Sequence, residues 1–550
     1  MLLRLAFIQL VEGPGYSCSA FRQQAAALSL EECPRGSILD RTGVSLTGER
    51  FTKRVAVFTE LLKDTDSAAR HLAAVLNAPE QRIKEMIEGK TNLLPFPLSE
   101  EQATAVKRAG WPGIAVVPVK ERYGPRPLAV HVVGYLGKID SPSEWRRLNK
   151  GIKRYNFGDY VGKAGLEYYY EHLLKGTVPC SMAGSYRDAQ GRTLNGLGLE
   201  IRKQADASRA DVVSTLDARL QTVVEDVMDL HVPCGAVVVL KAGTGDILAV
   251  GSRPAFIPVS PGVIKRSVQG EVFLDRAFSP YPPGSVFKIA VAAAALEEGI
   301  VTPRTKYYCR GASDTLVPCW NREGHKEVDF AQAFASSCNP TFARVGLKLG
   351  KKRLVEYCKA FRLADRSVVG YPLPSDSRQD PATYLKPYNL VNISVGQGPL
   401  LVTPVQVAAL VNTMVNDGVY VRPRLVKGFR RQAEVTELPQ DGGKRVISAE
   451  TARVVREMMA LSTAGGTGSK GFLEGYGSAG KTGTAEVDGE RTYAWFAGYA
   501  PLDRPRYVIV VMVEGGRSGA GDAAPVFKEI AERILSLENT TSSFNAEQLK

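Results

Sequence analysis

Three short strings, in a fixed order, carry the chemistry of this chain: Ser285-Val286-Phe287-Lys288, Ser337-Cys338-Asn339 and Lys481-Thr482-Gly483-Thr484. Together they supply a serine, two lysines, further hydroxyls, an amide and a glycine-bearing strand. That set suits acyl transfer through a covalent seryl ester, with an amine rather than an imidazole as the base. Ser-x-x-Lys occurs again at Ser478-Ala479-Gly480-Lys481, so spacing alone does not choose the nucleophile. Local structure does. Pro282-Pro283-Gly284 is a helix-start signal, and residues 289–296 are apolar on every side, which predicts a buried helix with its first turn at a cleft. On that helix Ser285 and Lys288 share a face. Ser478 and Lys481 fall in a strand, where a three-residue offset puts them on opposite faces.

A lysine near its usual pKa of about 10.4 is a poor base at neutral pH. Burial against the apolar helix, with Lys481 as a second cation, would lower Lys288. The plainer alternative is an N-capping serine followed by a solvated lysine. Ser337-Cys338-Asn339 follows a helical stretch and precedes Pro340, so a helix ending there would hold a hydroxyl and an amide at the cleft edge. An ordinary helix-terminating Ser/Asn pair is the competing reading. Lys481-Thr482-Gly483-Thr484 opens an antiparallel hairpin in which Gly483 removes a side chain where another backbone could approach. A peptide could add there as an extra strand, with Thr482 or Thr484 binding a carboxylate. A plain edge strand with a lysine on it is the alternative.

Cys309, Cys319, His325 and Cys338 form a second cluster of chemical interest. Three thiolates and an imidazole suit tetrahedral zinc. A Cys309–Cys319 disulfide or unpaired buried thiols are equally open from the residues. Eight cysteines in all are too sparse for a disulfide scaffold.

The elements that position these residues need more than one core, since 550 residues exceed a single ordinary domain. Apolar residues at 44% and charged residues at 23% describe a globular, non-fibrous protein, and the order of its elements reads as α+β. Residues 1–12 are apolar but broken by Arg4 and Gln9, too short to span a bilayer. They read as an amphipathic start or as the remnant of an N-terminal membrane anchor. Residues 13–205 read as an irregular α+β pedestal of the dimerisation type, with helices at 21–30, 68–76, 81–87, 100–107 and 165–174 and strands at 114–119 and 131–136. Residues 206–537 read as the catalytic domain. In it a strand at 210–217, a helix at 218–230 and a hairpin at 235–250 precede a helix-dominated stretch, 283–470. Strands return only at 478–485, 492–499 and 507–513, with Asp488-Gly489 as a turn, before a helix at 524–537. One five-stranded antiparallel sheet built from both ends of the domain, flanked by helices, follows. Residues 538–550 read as a disordered tail. Lysine and arginine number 70 against 57 acids, a net charge of +13. The densest basic stretch, Arg146 to Arg154, reads as a solvated face, which argues against a dedicated nucleic-acid site.

The ordered trio resembles the active site of penicillin-binding proteins and serine β-lactamases. Arg35-Gly36-Ser37-Ile38-Leu39-Asp40-Arg41-Thr42-Gly43, Gly162-Lys163-Ala164-Gly165-Leu166-Glu167, Ser252-Arg253-Pro254-Ala255-Phe256 and Gly396-Gln397-Gly398 narrow it to class B penicillin-binding proteins. Within that class the chain is most similar to the sporulation- and elongation-type transpeptidases of Gram-positive bacteria. The resemblance implies a peptidoglycan D,D-transpeptidase acylated by β-lactams: Ser285 attacks, Lys288 takes its proton, and Ser337, Asn339 and Lys481 complete the relay. It also implies that Thr482, Gly483 and Thr484 bind substrate and that catalysis needs no cofactor, although zinc beside the Ser-x-Asn element occurs in some members. A bacterial cell membrane location, an extracytoplasmic catalytic domain and a membrane glycosyltransferase partner are further implications. A D,D-carboxypeptidase or β-lactamase-like hydrolase and a non-catalytic cell-wall scaffold are the rival readings.

Overall fold

A computed structural model describes Arg4 and residues 25–89, 92–186, 199–266, 271–373, 380–384, 386, 389–440, 442–487 and 491–548. The rest of the first twelve residues and the Asp488-Gly489 turn lie outside the described residues.

Valine- and alanine-rich runs build the central sheet. Its order is Ile247–Arg253, Gly235–Lys241, Tyr507–Glu514, Arg491–Ala500 and Ala479–Val487, every pair antiparallel. The strands are buried along almost their whole length because helices cover both faces. Val237, Val239, Ile509 and Val511 face the helices Ala218–His231 and Ala524–Gln548. Val238, Val508, Val510 and Met512, one residue out of phase, pack with the helices Lys288–Glu297, Pro404–Val415 and Ala449–Gly465. Lys288–Ala295 is buried at every residue, as its all-round apolar pattern predicts. Ala479–Val487, which carries the third string, is an edge strand.

In the N-terminal part, Arg50–Val57 pairs with Ile114–Glu121, and the helices Thr65–Leu76, Glu80–Glu88 and Glu100–Ala109, which lie between them in the chain, pack a small core on that strand pair. The predicted helices at 68–76, 81–87 and 100–107 fall inside these three. Two of the strings that carry the family resemblance meet in a buried ion cluster. Arg35 Nε lies 2.6 Å from Glu167 Oε2, and Arg122 Nη2 lies 2.6 Å from Glu167 Oε1. A four-stranded sheet then joins the two halves of the chain: Glu434–Glu437, Val426–Arg431, Asp211–Ser214 and Ile38–Leu39, the last pair parallel.

Four expectations need correction. The predicted helix at 21–30 contains, in its described part, the strand Ala25–Ser29, paired with Ser181–Tyr186. Alanine favours helix locally, but sheet pairing overrides so weak a preference. The predicted strand at 131–136 is a short helix, Val130–Val133, followed by the strand Leu136–Lys138. Gly134 separates them at φ 85°, where a Cβ would stand 1.8 Å from the Ala164 carbonyl oxygen. Strands also return well before residue 478, including Lys306–Cys309 paired with Lys326–Asp329. Finally, the last helix runs to Gln548, through most of the stretch read as a tail.

Candidate active site

The helix behind Ser285 does not begin at the serine. Gly284–Phe287 form a 3₁₀ turn and the α-helix starts at Lys288. Ser285, in this turn, precedes Lys288 by three residues, the spacing that puts two side chains on one helical face. Ser285 is half-buried, and Lys288 is fully buried.

Lys288 reaches the second string. Its Nζ donates to the Ser337 carbonyl oxygen at 2.9 Å, to Ser337 Oγ at 3.2 Å and to Asn339 Oδ1 at 2.7 Å. The backbone makes this grip. The helix Phe330–Ala335 ends, Ser337 takes φ 56°, and a new helix starts at Asn339 with Pro340 in its first turn. A left-handed serine is uncommon, and here it turns both its oxygens toward one amine.

Lys481 is also fully buried, and its Nζ donates to the Thr482 carbonyl oxygen at 3.1 Å. The two ammonium groups lie over neighbouring rings, Lys288 5.3 Å from Phe342 and Lys481 5.8 Å from Phe334. Burial pushes Lys288 down to about 7, while Cys338 and Cys319 nearby pull the other way. Lys481 falls well below the ordinary lysine value, through burial first and the Lys288 charge second. Repulsion between the lysines was expected to act on Lys288; its main effect is on Lys481.

This sets a pH dependence. Only neutral Lys288 can take the serine proton, so acylation by a penicillin is expected to rise as pH climbs through about 7 and then level off. Stopped-flow acylation across neutrality measures it, and a flat profile would contradict Lys288 as the base.

Gly483 makes a close backbone approach within the chain itself. A Cβ there would stand 3.0 Å from the Pro283 carbonyl oxygen and 3.1 Å from Val286 N, so the turn that carries Ser285 approaches it closely. Gly284, at φ 55°, likewise lies against Thr484. The edge strand and the turn are thus pressed together, which sets Ser285 beside Thr484. Thr482 Oγ1 is 2.8 Å from Thr467 Oγ1, and Thr484 Oγ1 accepts from Gly519 N at 3.2 Å.

Three contributors were not assigned a place from sequence. Gly396 accepts from Gly284 N at 3.0 Å, and Gln397 Nε2 donates to the Thr484 carbonyl oxygen at 3.3 Å, so this loop clamps turn and strand together. Their glycine-flanked string was the available signal. Thr467 had none. Ser478, the rival serine, is buried, and its hydroxyl donates to the Gly471 carbonyl oxygen at 2.7 Å.

The four metal-type residues also converge. One ligand atom from each of Cys309, Cys319, His325 and Cys338 lies within 4.8 Å of the others. Tetrahedral zinc with bonds of about 2.3 Å to sulfur needs edges of about 3.8 Å, within that limit. All three thiols are free, and hydrogen bonding to Cys338 lowers Cys319 to about 5 while Cys338 rises. A cluster that already favours one thiolate fits a cation.

An antiparallel sheet flanked by helices, with a serine, two buried lysines and a Ser-x-Asn turn at its edge, defines a serine acyl-enzyme of the penicillin-binding class. Residues 235–532 match the penicillin binding protein transpeptidase domain, and residues 30–203 match the penicillin-binding protein dimerisation domain. The chain is 30% identical to Stage V sporulation protein D of Bacillus subtilis, across 97% of this chain and 82% of that one. It is 27% identical to the peptidoglycan D,D-transpeptidase MrdA of Haemophilus influenzae, across 91% of this chain and 84% of that one. The crystal structure of the D,D-transpeptidase domain of a peptidoglycan glycosyltransferase from Eggerthella lenta shares the fold. Its TM-score is 0.60 at 23% identity, covering 92% of this chain and 99% of the other. The chain belongs to the class B penicillin-binding proteins, serine D,D-transpeptidases that cross-link peptidoglycan and are acylated by β-lactams.

Proposed function

We propose that Ser285 is the nucleophile of this D,D-transpeptidase and Lys288 its base. The observation that carries the reading is the buried Lys288 amine, three residues after Ser285 and held by Ser337 and Asn339. Neutral Lys288 takes the Ser285 proton as Oγ attacks the penultimate D-alanyl carbonyl. Backbone N–H groups of Ser285 and Thr484 stabilise the oxyanion, and the terminal D-alanine leaves with a proton returned through Ser337 and Lys481. Thr482 and Thr484 bind the substrate carboxylate. An amine of a neighbouring stem peptide then attacks the ester, forms the cross-link and restores Ser285. A β-lactam opens on Ser285 but keeps its leaving group attached.

Peptide mapping of the penicillin adduct tests the assignment. The adduct is expected on the peptide holding Ser285, and an adduct elsewhere, Ser478 included, would overturn it. A donor pentapeptide with an amine acceptor separates the rivals: cross-linked product supports transpeptidation, and free acid alone supports a D,D-carboxypeptidase. A silent scaffold has no use for the assembled lysine pair.

The four-residue cluster is read as a structural zinc site, with Cys309, Cys319, His325 and Cys338 as ligands. Bound there, zinc would pin the turn that holds Ser337 and Asn339, because Cys338 lies between them. One zinc per chain is expected by elemental analysis, and chelation is expected to slow penicillin acylation and lower Tm. Absence of metal together with a Cys309–Cys319 bridge would end the reading.

The remaining parts rest on family membership, since penicillin-binding proteins are membrane-associated. They are an N-terminal anchor, a catalytic domain outside the cytoplasm and a membrane glycosyltransferase partner. No helix among the described residues is long and apolar enough to cross a membrane.

A further inference from the structure

The helix Ala449–Gly465 runs out into a threonine set among glycines, Gly465-Gly466-Thr467-Gly468. A Cβ on Gly466 would stand 2.4 Å from the Ala335 carbonyl oxygen, so glycine is what lets the chain pass this close to the helix Phe330–Ala335. Thr467 then binds that same carbonyl twice, through its N–H at 3.1 Å and its hydroxyl at 3.3 Å. Its Oγ1 also lies 2.8 Å from Thr482 Oγ1. One half-buried side chain thus stands between the helix that leads into Ser337 and the edge strand that carries Lys481.

A threonine hydroxyl holds one proton and accepts through two lone pairs. Only one proton can lie between the two threonine oxygens, so the pair has two arrangements. In the first, Thr482 donates to Thr467, and Thr467 donates to the Ala335 carbonyl. In the second, Thr467 donates to Thr482, and the Thr482 proton is free to point elsewhere. A carboxylate only accepts, so the second arrangement is the one that can receive it. Distances favour it too. A hydroxyl donor usually stands about 2.5–3.0 Å from its acceptor, a range that holds the 2.8 Å contact to Thr482 and not the 3.3 Å contact to Ala335. The Ala335 carbonyl keeps the Thr467 N–H when the hydroxyl turns away, so it is not left bare. Thr484 is prepared in the same way by a group that can only donate, Gly519 N at 3.2 Å.

We propose that Thr467 is a positioning residue for substrate recognition: it donates to Thr482 Oγ1 and so turns the Thr482 proton toward the substrate carboxylate. This role rests on the reading of Thr482 as a carboxylate ligand. A hydroxyl that accepts one hydrogen bond is a stronger donor in the next, so the Thr467 hydroxyl strengthens the grip on the carboxylate and leaves the acyl chemistry to Ser285 and Lys288.

The test acylates the full chain with benzylpenicillin and with its methyl ester, which has the same rings and no carboxylate. The ratio of the two second-order rates is the readout, because a merely loosened site slows both alike. In Thr467→Val, which keeps the shape and loses the hydroxyl, the ratio is expected to fall about tenfold, or about 1.4 kcal/mol. Thr467→Ala, which opens space instead, is expected to match it. Thr467→Ser keeps the hydroxyl and is expected to hold the ratio near that of wild type. Thr482→Val separates the two levels of the argument. If it lowers the ratio while Thr467→Val and Thr467→Ala do not, the role of Thr467 is overturned and the carboxylate reading stands. If Thr482→Val leaves the ratio at the wild-type value, the carboxylate reading fails and the role of Thr467 falls with it. A ratio in Thr467→Ser as low as in Thr467→Val would assign Thr467 to packing, which also overturns the proposal.

Discussion

Ser285→Ala is expected to bring labelling by a fluorescent penicillin to background, a loss on the order of 10⁴-fold or more in acylation rate. The size follows from the chemistry, since without the hydroxyl no ester forms and no neighbouring group can replace it. Ser478 is the residue most able to embarrass the assignment, because it too precedes a lysine by three positions. Its hydroxyl is buried and committed to the Gly471 carbonyl, and its own carbonyl accepts from Thr463. Ser478→Ala is therefore expected to retain labelling, at a stability cost of about 1 kcal/mol for the lost hydrogen bond. Labelling that survives Ser285→Ala, or disappears in Ser478→Ala while the fold is intact by circular dichroism, would reverse the two roles.

Lys288→Met comes next in size. The acylation rate is expected to fall by about 10³-fold, the usual range for loss of a general base. Stability separates this from simple unfolding. The folded Lys288 pKa, about 7, lies below its unfolded value, so between the two the native chain binds fewer protons than the unfolded one. Wild-type stability gains from this group as pH rises from about 7 toward the ordinary lysine value. The methionine variant lacks that gain, so its Tm relative to wild type should be highest at or below neutral pH and fall as pH rises. A constant Tm difference across that window would mean that Lys288 carries no shifted pKa.

The chemistry was legible because it is local. Pro282-Pro283-Gly284 before an all-apolar run announces a buried helix with a reactive first turn, and helix-against-strand geometry chose Ser285 over Ser478. The five-stranded sheet was legible for the same kind of reason, since each strand is a short β-rich run. What escaped reading depends on contacts distant in sequence. Nothing around residue 25 shows that Ala25–Ser29 pairs with Ser181–Tyr186. Gly483 announced a close backbone approach, and only the fold reveals that Pro283–Val286 makes one. Thr467 meets Thr482 through tertiary folding alone. The cluster at Cys309, Cys319, His325 and Cys338 was readable as residue types, and their convergence needed the hairpin Lys306–Cys309/Lys326–Asp329 to bring the first and third together.

The sheet that joins the two halves has a consequence for how the chain comes into being. Ile38–Leu39 pairs with Asp211–Ser214, which pairs in turn with Val426–Arg431. A ribosome releases the first of these strands long before the last, and pairings so far apart in sequence form slowly. Ile38–Leu39 can find its neighbour once residue 214 is made, but that neighbour, Asp211–Ser214, waits for its second partner until residue 431. Cutting the chain between residues 205 and 206 would leave Ile38–Leu39 without its neighbour. The two regions match separate families, yet one sheet takes strands from both, so its assembly spans most of the chain.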